Sequence, residues 1–215
     1  MAVPLVATTA LAGPTQAVRK SSFDKGLKVI LASVAPQKSE DALNYVVTGY
    51  ADMAANKAIA IELVSGNTWM ASSHEDASLA GDRTLEGCQL RYAKPCALIA
   101  VNEDIAADGS LAAVDMPRLY EDGKFDPTKI PVIRAVTRRR IDVQNYDHMM
   151  EPKAIAIHPW GKVFIANATA NLHEAADKAL SMCNGDTDRR GRDGGCFLYA
   201  MNDKVIISQR LMSAP

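Results

Sequence analysis

Four cysteines are the residues whose type and spacing most clearly predict chemistry in this sequence of 215 residues. Cys88 and Cys96 enclose seven residues, and Cys183 and Cys196 enclose twelve. In each pair, the first cysteine ends a predicted helix and the second begins a predicted strand, so a disulfide within the pair would join the two elements. Such bonds persist in the periplasm and outside the cell. We therefore predict the disulfides Cys88–Cys96 and Cys183–Cys196, and a periplasmic or secreted location.

Two other states of the cysteines remain open at this point. Zinc sites made of four cysteines usually carry Cys-x-x-Cys pairs, and neither pair here has that spacing. The four residues would otherwise be buried, reduced thiols. The equivalent positions of the two pairs, in two otherwise diverged halves of the chain, favour the disulfides.

The histidines and methionines suggest a second chemistry, which is metal binding. His148 and Met149 follow Asp147, and His158 comes ten residues after His148. Imidazole and thioether groups suit copper, so His148, Met149 and His158 are candidate metal ligands. No His-Glu-x-x-His pattern is present, and methionines that fill a core, with histidines in turns, would explain the same residues. We therefore predict no cofactor.

Lys57 and Lys153 occupy the same position in two copies of a repeated pentapeptide, and they are candidate binding residues. The alternative, which we favour, is a charged residue that flanks a strand and protects an edge of the sheet from pairing. Asn102 and Asn202 each follow a predicted strand, and we expect them to form turns.

Two tryptophans and a basic segment are candidates for contact with a partner. Trp69 and Trp160 would bind a partner if their rings lay on one surface together with Tyr199, and core positions are the alternative. Arg138–Arg140, close in sequence to Arg134, form a short basic run. We expect a solvated face there, with contact to a small anion as the alternative.

The pentapeptide Lys-Ala-Ile-Ala-Ile occurs at residues 57–61 and again at 153–157. After each copy, the sequence predicts a turn, a second strand and a helix. Small or apolar residues recur at i, i+3, i+4, i+7, i+8 and i+11 from Ala77 and again from Leu172, which places them on one face of a helix. In the first helix, three charged residues point away from that face: Asp82, Arg83 and Glu86.

This order of segments predicts an α+β protein of two tandem repeats, each a small antiparallel sheet packed on one helix and closed by a disulfide. We place repeat one at residues 18–106, a connector at 107–124 and repeat two at 125–215. Residues 1–17 are uncharged and largely apolar. They fit a signal-peptide remnant without its basic region, a flexible apolar leader or a first strand.

Local patterns predict five further features. They are a strand at Lys28–Val34, a helix from Ser39, a polar loop at Gln89–Pro95, an exposed loop at Asn184–Gly195 and a last strand at Val205–Ser208.

The composition is that of an ordinary globular protein with nearly balanced charge. The formal net charge of −1 gives no electrostatic reason to expect nucleic acid or an anionic membrane as a partner. No apolar run has the length needed to span a bilayer.

The repeated strand, the alanine-rich helix ending in cysteine and the Cys-x-Leu-x-Ala-x-Asn strand resemble a family of small secreted bacterial proteins of unknown function. The resemblance covers roughly residues 50–106 and 120–207, and it implies a strand–strand–helix–strand unit closed by a disulfide. The segment from Phe125 to Ile133 is similar to alphaproteobacterial members with two tandem units. Some relatives carry a 5-aminolevulinate synthase label. We do not expect that activity, because the chain is far shorter and has no glycine-rich phosphate loop with a lysine placed for a Schiff base.

From these patterns we expect an exported, non-catalytic binding or structural protein whose partner is a protein. A periplasmic metal-binding or small-molecule-binding protein that uses the His/Met region is one alternative. An enzyme of another kind is the second, although no nucleophile elbow, phosphate-binding loop or dinucleotide fingerprint is present.

Overall fold

The computed structural model describes residues 16–106, 111–114, 116–188 and 194–209. Most of the predicted leader, part of the connector and the arginine-rich segment of the predicted exposed loop lie outside these residues. That segment includes Arg189, Arg190 and Arg192. The domain boundaries proposed above stay predictions.

The first half of the chain forms two helices, a hairpin, a third helix and two strands. These elements are α1 (Gln16–Val34), α2 (Glu40–Ala51), β1 (Ala58–Glu62), β2 (Asn67–Ala71), α3 (Ala77–Tyr92), β3 (Cys96–Val101) and β4 (Asp104–Ile105). The second half has the same order of strands and long helix after several short helical turns. Its elements are α4 (Pro117–Tyr120), α5 (Ala135–Arg138), α6 (Ile141–Gln144), a 3₁₀ turn (Tyr146–His148), β5 (Ala154–His158), β6 (Lys162–Ala166), α7 (Leu172–Asn184), β7 (Phe197–Met201) and β8 (Lys204–Val205).

Each half contains a four-stranded antiparallel sheet with the same strand order. In the first sheet, β1 lies between β2 and β3, and β4 forms one edge; in the second, β5 lies between β6 and β7, and β8 forms one edge. β1 and β5, which we call the inner strands below, have a register shift at the same place, after Ile59 and after Ile155. The predicted α+β fold, with two small antiparallel sheets that each pack on one helix, is confirmed.

The alternation of alanine and isoleucine explains why both inner strands are buried on both faces. Ala60 packs toward α3 with Leu85 and Cys88, whereas Ile59 and Ile61 pack in a separate cluster with α1 and α2. In β5 the alanines pack with α7, and the isoleucines pack with the segments that precede the strand. Alanine on one face lets the helix approach the sheet closely, while isoleucine fills the space on the other face.

The predicted strand at residues 28–34 is wrong, because this segment belongs to α1. Phe23, Leu27 and Leu31 are buried at intervals of four residues and pack against Leu43 of α2. This spacing is helical, but a short apolar segment rich in valine and isoleucine fits both periods.

Capping side chains begin three of the helices. Ser39 Oγ accepts a hydrogen bond from the backbone N–H of Ala42 (3.2 Å) at the start of α2. Asp76 and Asn171 accept equivalent bonds at the starts of α3 and α7. Each bond satisfies one of the free N–H groups of a first helical turn. The predicted helix from Ser39 is therefore confirmed.

Helix α3 is longer and more deeply buried than the sequence predicts. It continues to Tyr92, so the predicted loop at Gln89–Pro95 is wrong over its first four residues. Residues Thr84–Leu90 are all buried, because α3 lies against its own sheet on one side and the second half on the other. On that second side, Leu90 packs in the core of the second half.

The last predicted strand is shorter in the structure, whereas the described part of the predicted exposed loop agrees with it. β8 comprises only Lys204–Val205, so the predicted strand Val205–Ser208 is wrong beyond its first residue. The predicted loop begins at Asn184, which is the last residue of α7, and its described residues 184–188 are largely exposed, as predicted.

Both predicted disulfides are present. Cys88 bonds to Cys96 and Cys183 bonds to Cys196, with Cα atoms 6.2 Å and 6.0 Å apart. No cysteine is free, so the alternatives of a zinc site and of reduced thiols are excluded for this structure. Among the described residues, no helix has both the length and the apolar character needed to cross a membrane.

Removal of the second disulfide provides a test of its contribution to stability. We expect Cys183→Ala/Cys196→Ala to lower the free energy of unfolding by about 3 kcal/mol, because the bond restricts a short loop of the unfolded chain. Guanidinium titration of the variant and of the wild-type protein, both without reductant, measures this difference. An unchanged midpoint would mean that this bond adds no stability to the fold.

Candidate functional site

Lys57 lies at the start of β1, and its ammonium group is buried against the backbone that precedes the strand. Its Nζ donates to the carbonyl oxygens of Tyr50 (3.0 Å) and Ala51 (3.2 Å), and lies 4.8 Å from the centre of the Tyr50 ring. The Tyr50 hydroxyl donates to the carbonyl oxygen of Asn102 (2.8 Å). The side-chain oxygen of Asn102 accepts a bond from the Lys57 backbone N–H (3.2 Å). We call these three residues a Tyr–Lys–Asn cluster.

The second half contains the same cluster, made by Tyr146, Lys153 and Asn202. Lys153 is 1% exposed; its Nζ donates to the carbonyl oxygen of Asp147 (2.9 Å) and pairs with Asp203 (2.7 Å). The Tyr146 hydroxyl donates to the Asn202 carbonyl oxygen (2.8 Å), and the Asn202 side chain accepts from the Lys153 backbone N–H (3.1 Å). Burial raises the pKa of the tyrosine hydroxyl in each cluster, so both hydroxyls stay protonated and can donate.

The two lysines do not protect sheet edges, and that prediction is wrong. Each begins an inner strand, where backbone carbonyls, an aromatic ring and a carboxylate compensate its charge. Asn102 and Asn202 form turns, as predicted, with φ angles of 51° and 47°. Asparagine tolerates this left-handed conformation. The ammonium groups of Lys57 and Lys153 are thus used within the fold, and a binding role for them stays a prediction.

Trp69 and Trp160 meet across the two halves, with ring centres 5.1 Å apart. Trp69 lies on β2 and is buried, with its Nε1 close to Gly87 of α3. Trp160 lies in the turn between β5 and β6 and is 37% exposed. Tyr199 is buried in the core of the second half. Of these three predicted contact residues, only Trp160 is exposed at the surface, and a contact with a partner stays a prediction.

His158 supports the turn between β5 and β6, at the place that Glu62 takes in the first half. Its Nδ1 accepts a hydrogen bond from the backbone N–H of Trp160 (3.2 Å), and its ring is fully buried. Glu62 accepts bonds from the N–H groups of Val64 and Ser65 (2.8 Å each). Burial raises the pKa of Glu62, but hydrogen bonds from Ser65 and Val64 outweigh burial and hold that pKa below its ordinary value.

The three candidate metal ligands have different surroundings. His148 lies on the 3₁₀ turn with an exposed side chain, 3.7 Å from the Asp147 carboxylate. Met149 is partly buried against the core of the second half, and His158 is fully buried. Within the described ranges, no three His, Cys, Asp or Glu side chains are grouped as a metal site. Metal binding by His148, Met149 and His158 stays a prediction.

An open cleft of about 520 Å³ lies beside β6, the edge strand of the second sheet, and we call it the β6 cleft. Its exposed apolar side chains come from three separate segments: Val136, Trp160 and Met182. Its lining also includes five charged residues: Arg134, Arg140, Asp142, Lys162 and Asp186. The cleft therefore combines exposed apolar side chains with charged residues, and we call the charged residues its rim.

Most of the charges at this rim are paired within the protein. Arg140 pairs with Asp142. Lys162 lies between Asp186 (2.9 Å) and Asp188 (2.7 Å). Its hydrogen bonds to Asp188 and Asp186 raise the pKa of Lys162, and the bond to Asp188 has the larger effect. The rim is thus close to neutral, and it offers little electrostatic attraction for a highly charged partner.

In each sheet, a side chain donates to a backbone carbonyl group of one edge strand, β2 or β6, and the two carbonyl groups occupy equivalent positions. The Tyr92 hydroxyl donates to the carbonyl oxygen of Thr68 on β2 (2.8 Å), and Arg140 donates to that of Val163 on β6 (3.0 Å). These carbonyls point away from their sheets, so an added strand would have to displace the capping side chains. The β6 cleft therefore offers side-chain contacts rather than a free strand edge.

Val136 and Met182 are residues of this cleft that the sequence analysis did not identify. Val136 stands alone among arginines, and Met182 lies one position before Cys183, outside the apolar stripe of α7. A single exposed apolar residue produces no periodic signal. An apolar residue on the polar side of a predicted helix is the signal that could have marked Met182.

His74 is buried at the contact between the halves, and within the described residues neither ring nitrogen has a hydrogen-bond partner. The adjacent Glu75 accepts a hydrogen bond from the backbone N–H of Ala135 (2.8 Å), which ties this loop to the second half. Burial lowers the pKa of His74, as do Arg134 and Arg83, while Glu75 raises it in part. His74 is therefore neutral near pH 7.

A scan against protein-family models, a search of curated proteins and a search of solved structures each found no match.

The buried lysine of the second half provides a test of the Tyr–Lys–Asn cluster. We expect Lys153→Met to lower the free energy of unfolding by about 2 kcal/mol, because Asp203 and the Asp147 carbonyl lose their donor while the volume of the side chain is kept. Lys57→Met is the matched control. Its effect should be smaller, since its carboxylate partner Glu103 is 3.9 Å away and largely exposed. Urea titration measures both, and equal effects would contradict the assignment.

The stability of the contact between the halves should depend on pH through His74. The unfolded chain binds a proton at this residue as the pH falls through about 6.5, whereas the folded chain binds it only at lower pH. The stabilisation is therefore complete above that pH and is lost as the pH falls through the lowered pKa. We expect a loss on the order of 1 kcal/mol between pH 7.5 and pH 5.

Chemical unfolding of His74→Gln across the same pH range should show a flatter profile than the wild-type protein. His173→Gln is the control, because the His173 side chain is exposed, and it should retain the wild-type profile. Identical profiles for the wild-type protein and His74→Gln would contradict the role of His74.

Proposed function

We propose that this protein is an exported, non-catalytic binding module that contacts a partner protein through the β6 cleft. The observation that carries the proposal is the grouping of exposed apolar side chains in this one cleft. Val136, Trp160 and Met182 line it, and the exposed Ile141 lies between two lining residues. Single exposed apolar residues are ordinary, but a group with a polar rim is typical of protein-binding surfaces.

Tryptophan and methionine are enriched in protein interfaces, and tryptophan often contributes a large share of the binding energy. Here the partly exposed ring of Trp160 packs against the buried ring of Trp69. Met182 precedes Cys183, which the disulfide connects to the sheet. Such a preformed surface loses little conformational entropy when it binds. This rigidity supports a binding role for the cleft.

The two disulfides support export of the protein. Bonds of this kind persist in the periplasm or outside the cell, whereas thiols in the bacterial cytosol are kept reduced. Each bond joins the helix of one half to a strand of the same half. They would therefore hold each helix against its sheet in such a compartment.

The ionisable residues that the sequence marks as special support a non-catalytic role. Lys57 and Lys153 bond to backbone carbonyl groups, and the Nδ1 of His158 accepts a bond from the backbone of its own turn. A catalytic group has to contact the substrate with the atom that reacts. The Nζ atoms of both lysines and the Nδ1 of His158 are already hydrogen-bonded to the backbone, at the ends of strands and in a turn.

Site-specific photo-crosslinking in the host cell tests the proposal. A photoreactive residue at Val136, which is 64% exposed, should give one discrete adduct with a partner protein from the cell envelope. The same residue at Val64, an exposed valine of the first half at 79%, is the matched control and should give none. A second substitution, Trp160→Ala, should reduce the adduct formed at Val136, since it removes the largest contact.

Fractionation of the same cells tests export, and the mass of the adduct identifies the partner class. An adduct of twice the mass of the chain would identify a second copy as the partner protein. No adduct at Val136, or equal adducts at both sites, would contradict the use of the β6 cleft. A cytosolic location would contradict export.

A further inference from the structure

A cavity of about 290 Å³ lies in the first half, between the helices α1 and α2 and the edge strand β2, and we call it the α2 cavity. Its apolar lining includes Leu31 of α1 and Leu43 and Val46 of α2. Ala35 and Ala42 also line it, and their short side chains leave space that larger residues would fill. The cavity can therefore enclose the apolar part of a small molecule.

Two contacts hold the walls of the α2 cavity together. Gln37, between α1 and α2, donates to the carbonyl oxygen of Ser65 in the turn between β1 and β2 (2.8 Å). Gly66 of that turn has a φ angle of 68°, and a Cβ atom there would lie only 2.6 Å from the Cβ of Ala35. The turn thus packs directly on the end of α1. A ligand would enter a preformed site, which lowers the entropic cost of binding.

Lys38 brings a positive charge to the α2 cavity. Its Nζ donates to the side-chain oxygen of Asn67 (3.1 Å), and both residues line the cavity and are partly buried. An ammonium group has three donors, and this bond uses one of them. Within the described part of the chain, no carboxylate forms an ion pair with Lys38, whereas the nearby Lys28 pairs with Glu40 (2.7 Å). The charge of Lys38 can therefore attract an anionic group of a ligand.

The basic run that the sequence analysis considered for an anion contact is used differently. Arg138 donates to the carbonyl oxygens of Ile130 (3.1 Å) and Thr128, and Arg140 pairs with a neighbouring aspartate. The expected solvated face is wrong for Arg138, because its guanidinium group bonds to the backbone. Lys38, which no sequence pattern marked, fits an anion contact better.

We propose that the α2 cavity binds a small aromatic carboxylate, with the carboxylate group on Lys38 and the ring among the apolar side chains. Tyr45 and Tyr92 also line the cavity, and tyrosine rings pack well against the face or edge of another aromatic ring. At about 30 Å³ for each water-sized group, the cavity holds about ten non-hydrogen atoms. This size matches one aromatic ring with a short acidic side chain. The ammonium group would donate a charge-assisted hydrogen bond to the carboxylate.

The α2 cavity is separate from the β6 cleft, although each lies beside an edge strand of its own sheet. The two sites differ in charge. In the β6 cleft, Lys162 is compensated by two aspartates, and the cleft is open and broad. The α2 cavity is smaller and has an ammonium group without a carboxylate partner among the described residues. The small-ligand site therefore does not depend on the proposed contact with a partner protein.

Titration of the protein with phenylacetate, followed by the chemical shifts of the backbone amides, tests the proposal. We expect saturable binding of one molecule per chain, with the largest shifts around the α2 cavity. Lys38→Met should weaken binding about tenfold or more, which is the loss expected for one charge-assisted contact. Ala42→Phe should prevent binding, because the larger side chain fills the cavity. Both residues are partly buried at the surface, so both variants should fold, and thermal unfolding checks this.

Lys25→Met is the matched control, since it removes an exposed lysine of α1 that does not line the cavity, and it should bind phenylacetate as the wild-type protein does. Phenylacetamide has the same size and ring without the charge, so it should bind the wild-type protein more weakly and should not distinguish it from Lys38→Met. Cyclohexylacetate should also bind more weakly, because it lacks the aromatic ring.

The absence of saturable binding to the wild-type protein would overturn the proposal, as would shifts centred away from the α2 cavity. Unchanged binding by Ala42→Phe, or equal losses in Lys38→Met and Lys25→Met, would overturn it as well. Equal binding of phenylacetamide or of cyclohexylacetate would contradict the proposed class of ligand.

Discussion

The contact between the two halves depends on the buried carboxylate of Glu86. A carboxylate without access to water is stable only when its oxygen atoms have donors. Arg83, Arg118 and the backbone N–H of Val132 provide these donors from three segments. Val132, whose N–H donates to Glu86, has a φ angle of 58°, a left-handed conformation that costs a β-branched residue on the order of 1–3 kcal/mol. Helix α3 is buried on all sides between Thr84 and Leu90. A helix that one half alone would expose lies instead at the centre of the molecule.

The features of the fold that could be predicted from the sequence are those with a local cause. The pentapeptide at 57–61 alternates because one face of the strand meets a helix and the other a larger core, and the cysteine spacing reflects a helix that leads into a strand. The position of Glu86 between the halves has no local cause, since its bond to Val132 spans 46 residues. The apolar segment at 28–34 fits a strand by itself, and only its packing against α2 makes it the end of a helix.

The same distinction explains which parts of the candidate site were found. Repetition drew attention to Lys57 and Lys153, but it did not give their role. That role depends on whether the strand is inner or outer, which is set by pairing with distant strands. His158 has a side chain of the kind that binds metals. In the fold, it accepts a hydrogen bond from the backbone of the turn between β5 and β6, as Glu62 does in the first half. The β6 cleft joins Val136 and Met182 from segments far apart in sequence, so no pattern within one segment could indicate it.

The contact between the tilted rings of Trp69 and Trp160 has a consequence for the near-ultraviolet spectrum of the protein. These are the only two tryptophans of the chain, and their rings lie 5.1 Å apart at the boundary between the halves. At that distance, the electronic transitions of the two indoles couple. Because the rings are tilted relative to each other, the coupling produces two bands of opposite sign in the near-ultraviolet circular dichroism spectrum. Separation of the halves would abolish that signal even if each sheet remained intact. The near-ultraviolet signal of the two tryptophans thus reports the contact between the halves. It does so independently of the backbone signal of the helices and strands.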